Sequence, residues 1–200
     1  LYLSIVFQPQ VTDLEEVPQY TLLAASAMVA ALEAASGQRL RIKWVNDLFC
    51  RGRKIGGILT EATTDIESRS LSSIIIGIGL NLSGDFSQAE ASTQSVAGTL
   101  FGQEMPADFN PNQVIHDFLK QLAYYIRTLS DKTYLPHYEE HLLGVGRQVS
   151  YQQAGQEYTG IIQGITDQGH LLIQDPHGQI RTLFSQEVHF SSQQFADDID

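Results

Sequence analysis

The stretch from Lys43 to Glu61, KWVNDLFCRGRKIGGILTE, decides the fold, because polar and glycine residues interrupt it where a buried strand is expected to begin. Apolar alternation predicts the strands, and Asn-Asp and Arg-Gly-Arg are typical of turns. The predicted elements are a strand at 39–44, a turn at 46–47, a strand at 48–50, a turn at 51–53 and a strand at 55–62. The last two strands and their turn form a β-hairpin.

Hydrophobic periodicity extends this assignment to the rest of the chain. An alanine-rich run predicts a buried helix packed on a sheet, and short β segments with regular turns follow Gly144. The predicted helices are 21–36, 113–129 and 136–143, with a short one near Ala97, and the other predicted strands are 1–7, 71–82, 148–151, 158–165, 171–174, 181–184 and 188–190. The absence of βαβ alternation in the first part predicts an α+β fold, with a mixed β-sheet and packed helices at 1–144. The short strands predict a small β-barrel or sandwich at 145–192, and an acidic tail follows at 193–200.

Composition excludes several classes of protein. The 200 residues are 42% hydrophobic and carry a formal net charge of -11, which disfavours binding to nucleic acid because phosphate is also anionic. The single cysteine cannot form an intramolecular disulfide and fits a reducing cytoplasm. Apolar runs fall short of the roughly 20 residues that span a bilayer. The abrupt first strand suggests that a segment upstream of Leu1 is missing.

Two glycine motifs are the strongest site candidates. A hairpin with solvated charges is the usual explanation for a segment such as 43–61, but Gly56-Gly57 lies inside a strand, where glycine indicates close approach of a ligand or another backbone. Gly77, Gly79 and Asn81 share one face of their predicted strand, and an amide such as Asn81 can read the edge of a flat ring such as adenine. A tightly packed strand ending in a turn is the alternative. Leu82 stands where a dinucleotide fingerprint needs a third glycine.

Two other sets of residues could suggest a catalytic or metal site, but a structural role is the preferred interpretation of each. Cys50 adjoins an apolar run and is expected to be an inert buried thiol. His137 and His141 are spaced i and i+4, which could place them on one helix face, but the surrounding pattern favours a surface helix over a metal site.

Three motifs in a fixed order carry a resemblance: KWVND at 43–47, RKIGGIL at 53–59 and GIGLN at 77–81. Together they resemble the bacterial biotin–protein ligases (biotin–[acetyl-CoA-carboxylase] ligases), whose usual forms are KWPND, RKxAGIL or RKxGGIL, and GxGxN. The resemblance covers nearly the whole chain and implies a class II synthetase-like catalytic domain followed by an SH3-like domain. It also implies activation of biotin by Mg-ATP to biotinyl-5′-AMP, and biotin transfer to a lysine of the biotin carboxyl carrier protein of acetyl-CoA carboxylase.

The resemblance assigns roles to individual residues. Lys54 would hold the biotin carboxylate and the α-phosphate of ATP together, and Asp47 would bind the metal ion or orient the incoming lysine amine. Biotin-binding residues are Lys54, Gly57, Leu59, Gly77 and Gly79, ATP-binding residues are Asn46, Lys54 and Asn81, and catalytic residues are Lys54 and Asp47. Lys43 would only support the turn. In a regular strand Lys54 would face away from Gly57, so these roles require a β-bulge or a strand that begins after Lys54.

Departures from the family pattern keep other functions open. Val45 replaces the usual proline, Phe190-Ser191-Ser192 stands where the family often has an arginine, and the family's GRGRxGR loop and Ser/Thr-Asn segment are expected upstream of Leu1. A truncated or degenerate module that binds biotin or its adenylate without catalysis is one alternative, and a lipoate–protein ligase relative is another. Assembly into a homodimer is a further hypothesis that the sequence leaves undecided.

Overall fold

Two five-stranded antiparallel sheets organise the protein in the computed structural model, which describes residues 1–9, 16–64, 71–185 and 187–195. The first sheet has the strand order β1-β5-β4-β3-β2. Its strands are β1 (Tyr2–Phe7), β2 (Arg41–Lys43), β3 (Asp47–Cys50), β4 (Arg53–Thr64) and β5 (Leu71–Leu80). The sheet therefore contains the predicted hairpin as β3 and β4, with the site candidates on adjacent strands.

Helix α1 (Val17–Ser36) forms the centre of the core. Pro18 lies in its first turn, where the missing N–H costs nothing, and the N–H of the left-handed Gly37 donates to the Glu33 carbonyl at its end. Almost every residue from Gln19 to Leu32 is buried, because α1 packs between the first sheet and two other helices. The remaining helices are α2 (Ala91–Val96), α3 (Pro111–Arg127) and α4 (Leu135–His141).

The first sheet has one buried face and one open face. In β5, Ile74, Ile76, Ile78 and Leu80 are buried, while Ile75, Gly77 and Gly79 between them point the opposite way and are only partly buried. Tyr2 and Val6 of β1 pair with Gly79 and Ile75 on that opposite face and are 91% and 64% exposed. The period of two thus gives the same strands a core side and a solvent side.

The second sheet has the order β10-β6-β7-β8-β9 and follows the helices in the chain. Its strands are β6 (Gln148–Gln153), β7 (Gln156–Ile165), β8 (Leu171–Gln174), β9 (Ile180–Leu183) and β10 (Val188–His189). A 3-10 helix, Ser192–Phe195, comes after β10. Phe195 is buried against Gly144, so three residues of the predicted tail pack on the protein, and 196–200 lie outside the described residues.

The α+β class and the SH3-like character of the C-terminal part are confirmed, and two details differ from the prediction. Every pairing between the described strands is antiparallel, not mixed, and parallel contacts occur only as isolated bridges. The strands at the two ends of the second sheet, β9 and β10, do not pair with each other, so the described part of that sheet is not closed into a barrel. No helix in the described ranges has the length and apolarity that crossing a bilayer requires.

Helix α4 has an exposed face, with Pro136, Glu139 and Glu140, but His137 and His141 lie on its inner face, which the prediction of a surface helix did not give. The two rings stack with their centroids 4.3 Å apart on the side of α4 that faces α1. His141 is 2% exposed, with Nε2 3.2 Å from Glu33 Oε2, and His137 Nδ1 lies 2.9 Å from Ser26 Oγ. Burial lowers the pKa of His137, and the nearby His141 lowers it further. These histidines attach α4 to the central helix.

Gly56 and Gly57 have opposite surroundings, which gives a matched pair for a stability test. A Cβ on Gly56 would lie 2.4 Å from the Gly79 carbonyl oxygen, while one on Gly57 would have its nearest contact at 3.5 Å. We expect Gly56→Ala to lower the free energy of unfolding by ~1–3 kcal/mol because β4 and β5 must separate. Gly57→Ala should change it by less than ~1 kcal/mol, and urea denaturation followed by circular dichroism compares the two. Equal stability of the two variants would contradict the assignment.

Candidate active site

A β-bulge in β4 places Lys54 on the open face of the first sheet. Asp47 pairs with Gly57 and Leu48 with Gly56, but the next residue of β3, Phe49, pairs with Lys54. Ile55 is therefore an extra residue in β4, and its side chain is buried in the core. Because side chains alternate along a strand, one extra residue turns Lys54 to the same face as Gly57. The bulge that the sequence-based roles required is present.

Asp47 lies between two lysine ammonium groups. Its Oδ1 is 2.5 Å from Lys54 Nζ, and its Oδ2 is 3.4 Å from Lys43 Nζ. The Asp47 side chain is 13% exposed and that of Lys43 is 10% exposed, whereas Lys54 is 37% exposed and faces the open groove. The cluster therefore carries a net positive charge, with the more accessible cation toward solvent.

Lys43 has a more central place than the prediction gave it. Its Nζ donates a hydrogen bond of 2.8 Å to Ser192 Oγ in the 3-10 helix, in addition to its contact with Asp47. Burial lowers the pKa of Lys43; Asp47 opposes this effect and the positive charge of Lys54 adds to it. Lys43 thus connects the carboxylate of the site to the C-terminal part of the chain.

A groove of about 400 Å³ on the open face brings most of the predicted residues together. The groove is lined by all the predicted biotin-binding and catalytic residues and by one further predicted ATP-binding residue, Asn46: Asn46, Asp47, Lys54, Gly57, Leu59, Gly77 and Gly79. Gly57 pairs with Gly79 and Leu59 with Gly77, so these residues form a patch on two adjacent strands. A Cβ on Gly77 would meet only the Leu59 carbonyl oxygen, at 3.8 Å, which leaves a flat floor open to a ligand.

The two asparagines of the motifs have different positions. Asn46 lines the groove, and its Nδ2 donates to the Ile58 carbonyl at 2.8 Å, which fixes the turn before β3 against β4. Asn81 follows β5 and does not line the groove; its Nδ2 lies 3.2 Å from the Gly98 carbonyl oxygen. Asn81 therefore lies next to the segment after α2, and its contact with adenine stays a prediction.

The turn at Val45 is held by a buried tyrosine. The Tyr138 hydroxyl donates to the Val45 carbonyl at 2.9 Å, and burial, with a further effect of Asp47, raises the pKa of Tyr138. The Trp44–Val45 peptide is cis at the position where the family pattern has proline.

Sequence reasoning missed the residues that attach α2 beside the site. Arg53 Nη1 donates to the carbonyls of Gln94 and Ser95 at 2.9 and 2.8 Å, near the C-terminal end of α2. A Cβ on Gly98 would lie 2.4 Å from Arg53 Cβ, so only glycine allows this segment to lie against β4. The RK pair of the second motif drew attention to Arg53 as a residue of the site. The residues that Arg53 bonds to are about 40 positions away in the sequence, and no local pattern marks them.

Two family models match the chain in the regions that form the two sheets. Residues 1–81 match the biotin/lipoate A/B protein ligase family, and residues 144–191 match the biotin protein ligase C terminal domain. The chain belongs to the biotin/lipoate A/B protein ligase family. Within this family, the second match associates the chain with the biotin protein ligases.

Curated relatives in this family support the same assignment. The bifunctional ligase/repressor BirA of Bacillus spizizenii is 30% identical over 191 residues, and the alignment covers 94% of this chain and 57% of that protein. The biotin–[acetyl-CoA-carboxylase] ligase of Paracoccus denitrificans is 27% identical over 192 residues, covering 94% of this chain and 78% of that ligase. The chain thus spans 57% of the length of the Bacillus relative.

Solved structures of this family share the fold. The apo biotin protein ligase of Aquifex aeolicus superimposes with a TM-score of 0.75 at 23% identity, covering 95% of this chain and 81% of that one. The same Aquifex protein in complex with biotin and ATP gives a TM-score of 0.74, covering 96% and 78%. At this identity the likeness concerns the architecture of the two sheets and the helices.

The paired lysines make Asp47 important for stability. We expect Asp47→Asn to lower the free energy of unfolding by about 3 kcal/mol, because the buried Lys43 ammonium would lose its counter-charge. Urea denaturation at neutral pH measures the change.

The matched control is Asp167→Asn. Asp167 pairs with Lys132 at 3.2 Å, but its side chain is 64% exposed, so its loss should cost less than ~1 kcal/mol. If both variants lost the same stability, Asp47 would not neutralise a buried charge.

Proposed function

We propose that this chain carries the catalytic site of a biotin–protein ligase. Such an enzyme joins biotin to ATP as biotinyl-5′-AMP with release of pyrophosphate, and then transfers the biotinyl group to a protein lysine with release of AMP. The bulge at Ile55 is the observation that carries the proposal. It puts Lys54 over a floor of glycines and beside Asp47, all within one groove. Membership of the family and the Aquifex complex with biotin and ATP support the same chemistry.

The groove suits biotin in shape and charge. Biotin has a flat bicyclic head, which can lie on the backbone at Gly77 and Gly79, and a chain that ends in a carboxylate. Lys54, with 37% of its side chain exposed, can reach that carboxylate from the groove. Leu59 is 59% exposed beside the floor and provides an apolar wall. This accounts for the proposed biotin-binding set.

Lys54 has an electrostatic role in the first reaction. The biotin carboxylate must attack the α-phosphate of ATP although both groups are anionic, and a fixed cation between them lowers the barrier. The Asp47 carboxylate holds the Lys54 ammonium in place at 2.5 Å, so the ammonium needs little reorganisation during the reaction. Asn46 would border the same phosphates, and Asn81 would contact the adenine beyond Lys54.

Asp47 would act again in the transfer reaction. An incoming lysine amine must be neutral to attack the adenylate carbonyl, and a carboxylate can accept its hydrogen bond and orient it. Mg²⁺ would enter with ATP, whose phosphate oxygens bind it, and a single carboxylate such as Asp47 could add to that coordination. Asp47 would have to release one lysine to coordinate that ion.

The acceptor that we propose is the biotin carboxyl carrier protein of acetyl-CoA carboxylase. The names of the Paracoccus and Mycobacterium tuberculosis relatives, both biotin–[acetyl-CoA-carboxylase] ligases, support this choice. A cytoplasmic location, the lack of nucleic-acid binding and a homodimer stay predictions; the Bacillus relative is by its name also a repressor.

Calorimetric titration and pyrophosphate release test the proposed function. We expect biotin to bind this chain, pyrophosphate to appear only with biotin and Mg-ATP, and Lys54→Gln to reduce its rate by about 10²–10³-fold. Lys132→Gln, which changes a lysine of the Asp167 pair, is the control. Biotin binding without pyrophosphate would indicate a non-catalytic module. Preferential activation of lipoate would indicate the lipoate branch of the family.

The groove floor gives a test that separates binding from folding. A Cβ on Gly77 has room in the free protein but would project into the groove. We expect Gly77→Ala to raise the Kd for biotin by roughly tenfold or more with a melting temperature within about 2 °C of the unmodified chain. An unchanged Kd would place biotin elsewhere.

Ser73 offers the control for this variant. It lies on the same strand and face as Gly77, outside the groove lining, so Ser73→Ala should leave the Kd unchanged.

A further inference from the structure

We propose that Ser192, through Lys43, sets the orientation of the Asp47 carboxylate, so that the C-terminal domain positions the reactive pair Asp47–Lys54. The inference rests on the proposed function for its catalytic consequence. The contact itself is a 2.8 Å hydrogen bond from Lys43 Nζ to Ser192 Oγ. Ser192 and Lys43 are thus positioning residues that act through Asp47.

Two buried aromatic side chains hold Ser192 in place. Phe190, two residues before it, makes an edge-on contact with Trp44, with ring centroids 6.1 Å apart. Phe195, three residues after it, is 2% exposed and packs against Gly144. Trp44 is also tied to the C-terminal domain, since its indole N–H donates to the Gly169 carbonyl at 2.9 Å. The Ser192 hydroxyl is therefore fixed by packing on both sides.

The Lys43 ammonium needs this partner because it has little access to water. Only 10% of its side chain is exposed, and its described acceptors are Asp47 Oδ2 at 3.4 Å and Ser192 Oγ at 2.8 Å. Without the hydroxyl, a buried N–H would lose its shorter hydrogen bond. The ammonium would then move toward Asp47 or toward solvent, and either movement turns the carboxylate.

A turn of the Asp47 carboxylate reaches Lys54 directly. Its Oδ1 contacts Lys54 at 2.5 Å while Oδ2 is held by Lys43, so the two oxygens cannot move independently. The same C-terminal segment also meets α2, where Gln193 Nε2 donates to Ser95 Oγ at 3.0 Å. Arg53, the neighbour of Lys54, donates to the Ser95 carbonyl. The C-terminal segment thus contacts Lys43 directly and reaches Arg53, the neighbour of Lys54, through Ser95.

The test compares Ser192→Ala with Ser191→Ala in the full chain. Ser191 is exposed and adjacent, and its hydroxyl only accepts a long 3.4 Å contact from the Gln193 N–H. We expect Ser192→Ala to lower kcat for biotin-dependent pyrophosphate release roughly tenfold while KM for biotin stays within about twofold. Ser192→Thr keeps the hydroxyl and should restore most of the rate. Ser191→Ala should match the unmodified chain.

A double-mutant cycle shows whether Ser192 acts through Lys43. Lys43→Gln removes the ammonium, so adding Ser192→Ala to it should lower kcat no further. Independent, multiplicative losses in the double variant would contradict a shared route through Lys43.

Lysine labelling tests the contact without relying on activity. With acetic anhydride and mass spectrometry, Lys43 should react more slowly than Lys54, and Ser192→Ala should raise the Lys43 rate several-fold while Ser191→Ala does not. Equal Lys43 labelling in the two serine variants, or equal kcat, overturns the inference. If the unmodified chain releases no pyrophosphate, the proposed function fails, and the labelling comparison still decides whether Ser192 holds Lys43.

Discussion

The extra residue Ile55 in β4 is the constraint on which the rest of the site depends, because it changes which face Lys54 occupies. A bulge removes backbone groups from the ladder between β3 and β4, and these must find other partners. The Lys54 carbonyl accepts from the Gly98 N–H at 2.8 Å, and the Ile55 carbonyl continues the pairing with the other neighbour by accepting from the Asn81 N–H at 2.7 Å. The end of β5 and the segment after α2 are thus fixed at the bulge.

The bulge also explains why the Asp47 carboxylate lies between two ammonium groups. It places Lys54 against one oxygen of Asp47, and the register of β2 with β3 places Lys43 against the other. One carboxylate cannot fully neutralise two ammonium groups, so positive charge remains on the groove side, where anionic substrates would bind. Burial of the Lys43 ammonium costs free energy, and the hydrogen bond to the Ser192 hydroxyl of the C-terminal domain offsets part of that cost.

Local patterns predicted most of the fold and only part of the site. Strand alternation and alanine-rich helix composition located the elements, since α1 and β5 follow those patterns almost residue by residue. The need for a bulge at Lys54 was also visible, because spacing fixes the face of each side chain. The Lys43–Ser192 and Arg53–Ser95 contacts join residues 149 and 42 positions apart, and no periodicity encodes such distances. The contacts of His137 and His141 depend likewise on α1, which is remote in sequence.

Glycine shows most clearly how one sequence feature serves two physical purposes. Gly56 and Gly57 are neighbours, yet alternation directs the first into the β4–β5 contact and the second into the groove. Packing alone therefore requires glycine at Gly56, where the Gly79 carbonyl leaves no space for a Cβ. Packing does not require it at Gly57 or Gly77, where a methyl group would meet only ordinary contacts. Glycine inside a strand lowers its conformational stability. Where packing does not require the glycine, a ligand that needs the space explains it better.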